Sequence, residues 1–112
     1  MRNKLYIEPS DNPWYNATVF MVFKKDRSKR LVVDLRGINS LIIPKTVALP
    51  HIDEMIETIT GSKPQFLSSL DITSAFWQLG IAKESRDYTS FTGPDGRRWR
   101  YKRCPMGLSN SP

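Results

Sequence analysis

At 112 residues, 39% of them hydrophobic, the chain has material for one modest core, so it reads as a single domain that need not be a complete protein. Seventeen Lys and Arg stand against 11 Asp and Glu, and the formal net charge of +6 favours a polyanionic partner such as nucleic acid. The single cysteine, Cys104, excludes an internal disulfide framework and suits a reducing compartment.

The opening Met1-Arg2-Asn3-Lys4-Leu5 lacks the apolar stretch of a secretory signal, and the longest apolar run, residues 19–23, falls far short of the ~20 residues of a membrane span. A soluble, intracellular, non-secreted protein with no membrane partner is expected, and the glycosylation acceptor Asn16-Ala17-Thr18 then reads as accidental. Residues 8–13 are rich in turn formers and are expected to be irregular. Residues 18–23 and 31–35 are β-branched and aromatic, and the charged stretch 24–30 between them predicts a hairpin. On its second arm, a period of two puts Leu31, Val33 and Leu35 on one face and Arg30, Val32, Asp34 and Arg36 on the other. One face can pack while the other meets a ligand.

Pro44 and Pro50 bracket an irregular stretch, after which Ile52, Met55, Ile56 and Ile59 recur at helical spacing, with Gly61 as the stop. Asp53, Glu54 and Glu57 lie off that stripe and read as a solvated face. Residues 66–72 read as a strand with Phe66, Leu70 and Ile72 on its more apolar face and Leu67, Ser69 and Asp71 on the other. A short helix is expected at 74–79. Residues 89–92 and 97–103 then form strands about a Gly93-Pro94-Asp95-Gly96 turn, the second with Trp99 and Tyr101 on one face and Arg98, Arg100 and Lys102 on the other.

Three stretches can carry chemistry. In Ser69-Leu70-Asp71-Ile72-Thr73-Ser74-Ala75-Phe76-Trp77-Gln78 a carboxylate ends a strand just before small residues and an aromatic pair. A strand end is a rigid place for a ligand to Mg2+, which takes carboxylate oxygens and keeps phosphates and water for its other positions. The same aspartate suits a helix cap or a turn. Lys24-Lys25-Asp26, Arg30 and Val33-Asp34-Leu35-Arg36 put cations at the tip and second arm of the hairpin. They suit phosphate oxygens, or equally protect a soluble sheet edge. In Arg103-Cys104-Pro105-Met106-Gly107-Leu108-Ser109-Asn110-Ser111-Pro112, a Pro-x-Gly turn allows close backbone approach and a helix is expected near Ser109.

In their order and spacing these blocks, together with Glu8-Pro9-Ser10, Pro13-Trp14, Gly37-Ile38-Asn39, Leu49-Pro50-His51-Ile52-Asp53 and Tyr88-Thr89-Ser90-Phe91-Thr92, resemble the reverse transcriptases of gypsy-type LTR retrotransposons and, more distantly, of retroviruses. The resemblance covers nearly the whole chain. It implies an α+β fold, part of a right-hand polymerase: a fingers β-hairpin plus an incomplete palm with antiparallel strands and helices. Residues 1–48 would be mainly fingers, and residues 49–112 palm with a returning fingers segment.

The activity implied is RNA-directed DNA polymerisation, in which a primer 3′-hydroxyl attacks the α-phosphate of a deoxynucleoside triphosphate on an RNA or DNA template and pyrophosphate leaves. The resemblance makes Asp71 the catalytic metal ligand, assisted by the carbonyl of Ile72, for two Mg2+ ions, with Mn2+ as a substitute. Lys24 and Arg30, with Lys25 as the alternative at the tip, would hold the triphosphate. Ser74 and Ala75 would line the 3′-hydroxyl pocket with their backbone, Phe76 would exclude a 2′-hydroxyl, and Met106 and Gly107 would pack on the nucleotide. Asp34 and Arg36 are given a template-side or structural role.

Met106 departs from the family, which carries glutamine or phenylalanine there. The Tyr-x-Asp-Asp hairpin that supplies the remaining carboxylates is expected beyond Pro112, as are the thumb and RNase H parts of a pol polyprotein. The isolated chain is therefore expected to be inactive and to expose apolar palm surface. The intact protein would sit in the cytoplasm, in a retroelement's virus-like particle, or in the nucleus. The alternative is a non-enzymatic remnant whose basic hairpin and 97–103 strand grip phosphates without chemistry.

Overall fold

A computed structural model describes residues 5–112. The predicted hairpin forms from strands β2 (Thr18–Phe23) and β3 (Lys29–Asp34), antiparallel from Thr18↔Asp34 to Phe23↔Lys29. Its tip closes where the Lys24 amide donates to the Ser28 carbonyl at 2.9 Å and the Arg27 amide to the Lys24 carbonyl at 2.9 Å, with Arg27 at φ 64°. Asp26 accepts from the Ser28 amide at 2.9 Å and its hydroxyl at 2.6 Å, which sets the turn without a glycine. The period-two reading of the second arm holds: Val33 and Leu35 are buried and Leu31 half-buried, while Arg30 is exposed.

The second sheet has the order β1-β5-β4. Its central strand β5 (Arg98–Tyr101) pairs antiparallel with β1 (Ile7–Pro9) on one side and with β4 (Phe91–Thr92) on the other. The β4–β5 turn falls at 93–96 as predicted, closed by the Gly93 amide on the Arg97 carbonyl at 2.8 Å, with Gly96 at φ 75°. The core is small: Ile7, Val33, Leu35, Phe91 and Tyr101, with Trp77, Trp99 and Leu108 packed against it. Trp77 stacks on Tyr6 at 5.0 Å between ring centroids, and Phe91 lies 5.1 Å from Tyr101.

A charge network holds β1 to β5. Glu8 accepts from Arg100 Nε at 2.8 Å and from Arg86 Nη1 at 3.3 Å, and Arg100 also donates to Asp87. Arg86 and Asp87 belong to a 3-10 helix, Lys83–Thr89, whose Thr89 hydroxyl accepts from the Tyr101 amide at 2.9 Å. Burial pushes the Glu8 carboxyl up, but the hydrogen bonds and charges of Arg100 and Arg86 outweigh it and hold the group below its ordinary value.

Several expectations fail, each for a physical reason. Residues 66–72 form no strand: among the described residues no neighbour pairs with them, and a strand without a hydrogen-bonded neighbour has nothing to hold it extended. Leu70 is 93% exposed and Ile72 64%, so the segment has no apolar side for Asp71 to face away from. Helix α2 (Ile52–Ser62) forms on the predicted stripe, but Ile52, Met55, Ile56 and Ile59 are all exposed. It runs past Gly61 and ends with Lys63 in the left-handed conformation, φ 46°.

The irregular opening begins only at Ser10, because Glu8 and Pro9 lie in β1. The expected strand 89–92 shrinks to two residues, since Thr89 closes the 3-10 helix, and the expected strand 97–103 shrinks to β5. No helix begins near Ser109, where a turn forms instead, the Ser111 amide donating to the Leu108 carbonyl at 3.1 Å. Helix α1 (Arg36–Asn39) was not foreseen. The radius of gyration, 18.3 Å, exceeds the about 13 Å of a compact 100-residue domain, in keeping with the exposed apolar surface of α2 and residues 66–72.

Glu8→Gln leaves one weak acceptor facing two guanidiniums and is expected to cost about 1–3 kcal/mol in unfolding free energy at neutral pH. Because the folded-state value of Glu8 lies below its ordinary 4.5, its stabilisation is complete above that pH and is lost as the pH falls through the depressed value. Thermal melts between about pH 7 and pH 2 should therefore show a steeper acid loss in the parent than in Glu8→Gln.

Candidate functional site

The end of the hairpin and the loop of residues 105–111 meet in one cleft, lined by Lys24, Lys29, Arg30, Trp77, Pro105 and Met106 among others. β3 aims Arg30 outward, opposite to the buried Val33, and its guanidinium lies against the Met106 sulfur. Lys24 begins the tip. Neither Lys24, Lys25 nor Arg30 enters an ion pair among the described residues. The structure thus brings Lys24, Arg30 and Met106 together. Lys25 is exposed at the tip and is not part of the cleft's lining, while Lys29, which sequence reasoning passed over, is.

Gly107 follows Met106 at φ 103°, a conformation that favours glycine. Its carbonyl accepts from the Asn39 side-chain amide at 2.7 Å, and Asn39 in turn accepts from the Ser109 amide at 2.9 Å. Asn39 appeared in the sequence only as the end of a motif, since a side chain bonding backbone 68 residues away leaves no local pattern.

Asp71 is exposed and enters no ion pair among the described residues. Ser74 stands at φ 51°, and the predicted short helix is a 3-10 turn, Ala75–Gln78, braced by Gln78 Nε2 on the Thr73 carbonyl at 2.7 Å. Phe76 and Trp77 are half-buried within it. Asp71, Ile72, Ser74, Ala75 and Phe76 do not line the cationic cleft, and Trp77 is the member of that stretch that does. No group of three or more His, Cys, Asp or Glu able to hold a metal occurs among the described residues. The accessible carboxylate of Asp71 fits part of the coordination shell of a hard divalent cation, the rest of which would be filled by other oxygens from carboxylates, phosphates and water.

The remaining candidates are internally committed. Asp34 and Arg36 pair at 2.7 Å, and the side-chain and backbone hydrogen bonds from Arg36 pull the Asp34 carboxyl down to about 2. Arg36 therefore answers its own neighbour first. On β5, Arg100 is bound to Glu8 and Asp87, and Arg98 donates to the Tyr15 carbonyl at 2.7 Å. Two of the three cations on the expected basic face of that strand, Arg98 and Arg100, are thus spent on internal contacts, and Lys102 is the third. Burial pushes the Cys104 thiol up, away from nucleophilic reactivity.

A family model described as "Reverse transcriptase (RNA-dependent DNA polymerase)" matches residues 22–112. The chain belongs to the reverse transcriptase family. It is 37% identical over 112 residues to the retrovirus-related Pol polyprotein from transposon 412 of Drosophila melanogaster, an alignment covering 95% of the chain and 9% of that protein. It is 33% identical over 111 residues to the Pol polyprotein from transposon gypsy of the same organism, covering 94% of the chain and 10% of the relative. The chain thus spans about a tenth of the length of these curated relatives. The fold matches prototype foamy virus protease-reverse transcriptase with a TM-score of 0.72 at 29% identity, covering 95% of this chain and 14% of that one. A structure of the foamy viral protease-reverse transcriptase with double-stranded DNA matches with a TM-score of 0.67 at 26% identity, covering 95% and 18%. This reverse transcriptase segment has the expected α+β architecture, part fingers and part palm.

The two classes of arginine predict opposite outcomes in thermal melts. Arg100→Ala strips partners from two carboxylates and should lower the melting temperature by about 5 °C or more. Arg30→Ala, exposed and unpaired with any carboxylate, should stay within about 3 °C of the parent.

Proposed function

We propose that the chain is the part of an RNA-directed DNA polymerase that receives the incoming deoxynucleoside triphosphate and supplies the first metal-binding aspartate. The observation that carries this reading is the family match over residues 22–112, a span that includes the hairpin cations, Asp71 and the 105–112 loop. The reading assigns residues 1–48 mainly to the fingers and 49–112 to the palm and returning fingers segment. The complete protein would be a retroelement pol polyprotein, acting in the cytoplasm within a virus-like particle or in the nucleus. The double-stranded DNA bound by the foamy viral relative supports a template-primer partner for the intact enzyme.

In this reading Asp71, with the Ile72 carbonyl, would hold the divalent ions, Mg2+ or in its place Mn2+, together with carboxylates from outside residues 1–112. When bound, two such ions neutralise charge on the attacking and leaving oxygens of phosphoryl transfer. The chain's own residues bind and orient. Lys24 and Arg30, with Lys25 behind them at the tip, are free cations for the triphosphate, whose charge they attract without first breaking an ion pair. Ser74 and Ala75 offer backbone to the 3′-hydroxyl, and the Phe76 ring excludes a 2′-hydroxyl. Met106 and Gly107 pack against the nucleotide, an apolar contact in keeping with a thioether.

Three experiments test this. In the complete enzyme, Asp71→Asn should abolish primer extension, and the purified 112-residue chain should show none with Mg2+ and deoxynucleotides. Phe76→Val should reduce the preference for deoxynucleotides over ribonucleotides by at least ~10-fold. Sugar discrimination unchanged in single-nucleotide incorporation kinetics would remove Phe76 from its assigned place.

A further inference from the structure

The loop that carries Met106 and Gly107 has no regular structure of its own; Pro105 and Leu108 pack it inward, and a pair of asparagines ties its backbone to residues 39–45. Asn39 spends its donor on the Gly107 carbonyl at 2.7 Å and its acceptor on the Ser109 amide at 2.9 Å. Asn110 answers in the other direction, donating to the Ile43 carbonyl at 3.1 Å and accepting from the Lys45 amide at 3.2 Å. Each side chain does for an irregular backbone what a neighbouring strand does for a regular one.

The anchor of this clamp reaches the core. The Asn39 backbone N–H donates to the carbonyl of Leu35 at 2.8 Å, and Leu35 is 3% exposed. From Leu35 the connection runs through α1 to Asn39, through Asn39 to Gly107, and through Met106 to the Arg30 guanidinium. Without Asn39 the loop would keep its tie at Asn110 but lose its grip beside Gly107, where the backbone already sits at φ 103°.

We infer that Asn39 is a positioning residue for nucleotide binding: it fixes the loop of residues 105–109 against the hairpin in the shape that receives a nucleoside triphosphate. This rests on the polymerase reading above. Asn39→Asp is the discriminating change, because a carboxylate keeps the acceptor for the Ser109 amide but turns a second acceptor on the Gly107 carbonyl.

In the complete enzyme, steady-state single-nucleotide incorporation by Asn39→Asp should show KM for the deoxynucleotide raised about tenfold with kcat within about twofold. Affinity for primer-template should be unchanged. Gly107→Ala, which strains the loop where a Cβ meets open space, should give the same split without touching Asn39. A lowered melting temperature with KM unchanged in either variant would overturn the inference and leave Asn39 a merely structural tie. Should Asn39→Asp not fold, an unchanged KM in Gly107→Ala would overturn it alone. Asp71→Asn serves as the control. If that variant still extends primers, the polymerase reading fails, and the positioning role falls with it.

Discussion

The carboxylate of Glu8 is the point at which β1, β5 and the 3-10 helix of residues 83–89 are joined. It lies between Arg100 on the central strand and Arg86 on the 3-10 helix, so it fixes the register of β1 against β5 and the seat of residues 83–89 on the sheet together. Its side chain and those of both arginines are about a fifth to a quarter exposed, enough shielding for pairing to matter and for an unmatched charge to be costly. Phe91 and Tyr101, which the network brackets, then form the floor on which Trp77 and the hairpin rest.

That arrangement separates the chain's basic residues into two populations. Arg86, Arg98 and Arg100 are held by carboxylates or carbonyls and belong to the fold. Lys24, Lys25 and Arg30 stand at the free end of the hairpin with no carboxylate partner among the described residues. A net charge of +6 says nothing about this division. The division also weakens the reading of the chain as a passive basic remnant, since Arg98 and Arg100, on one of the two surfaces that reading needs, are internally occupied.

The hairpin, the amphipathic helix, the 93–96 turn and the β5 strand were legible because each is written in local periodicity or turn chemistry. Residues 66–72 were misread for the same reason: an apolar run has strand character, but strand structure depends on a neighbour, and none pairs with it among the described residues. The cationic cleft was half legible. Lys24, Arg30 and Met106 could be named from motif order, whereas Asn39, Lys29 and the spent state of Arg98 and Arg100 depend on contacts across the fold. Asp71 could be named from motif order too, but its surroundings could not.

The hairpin tip carries one more implication. Arg27 occupies a left-handed backbone conformation that a glycine adopts freely and an L-residue enters at a cost of about 1–2 kcal/mol. The tip therefore retains an outward cation at the position best suited to the smallest residue, exchanging local relaxation for reach of positive potential at the farthest point of the hairpin. Glycine at position 27 would relieve that strain and give up the charge, so firmness of the turn and positive potential at the tip are set against each other at one residue.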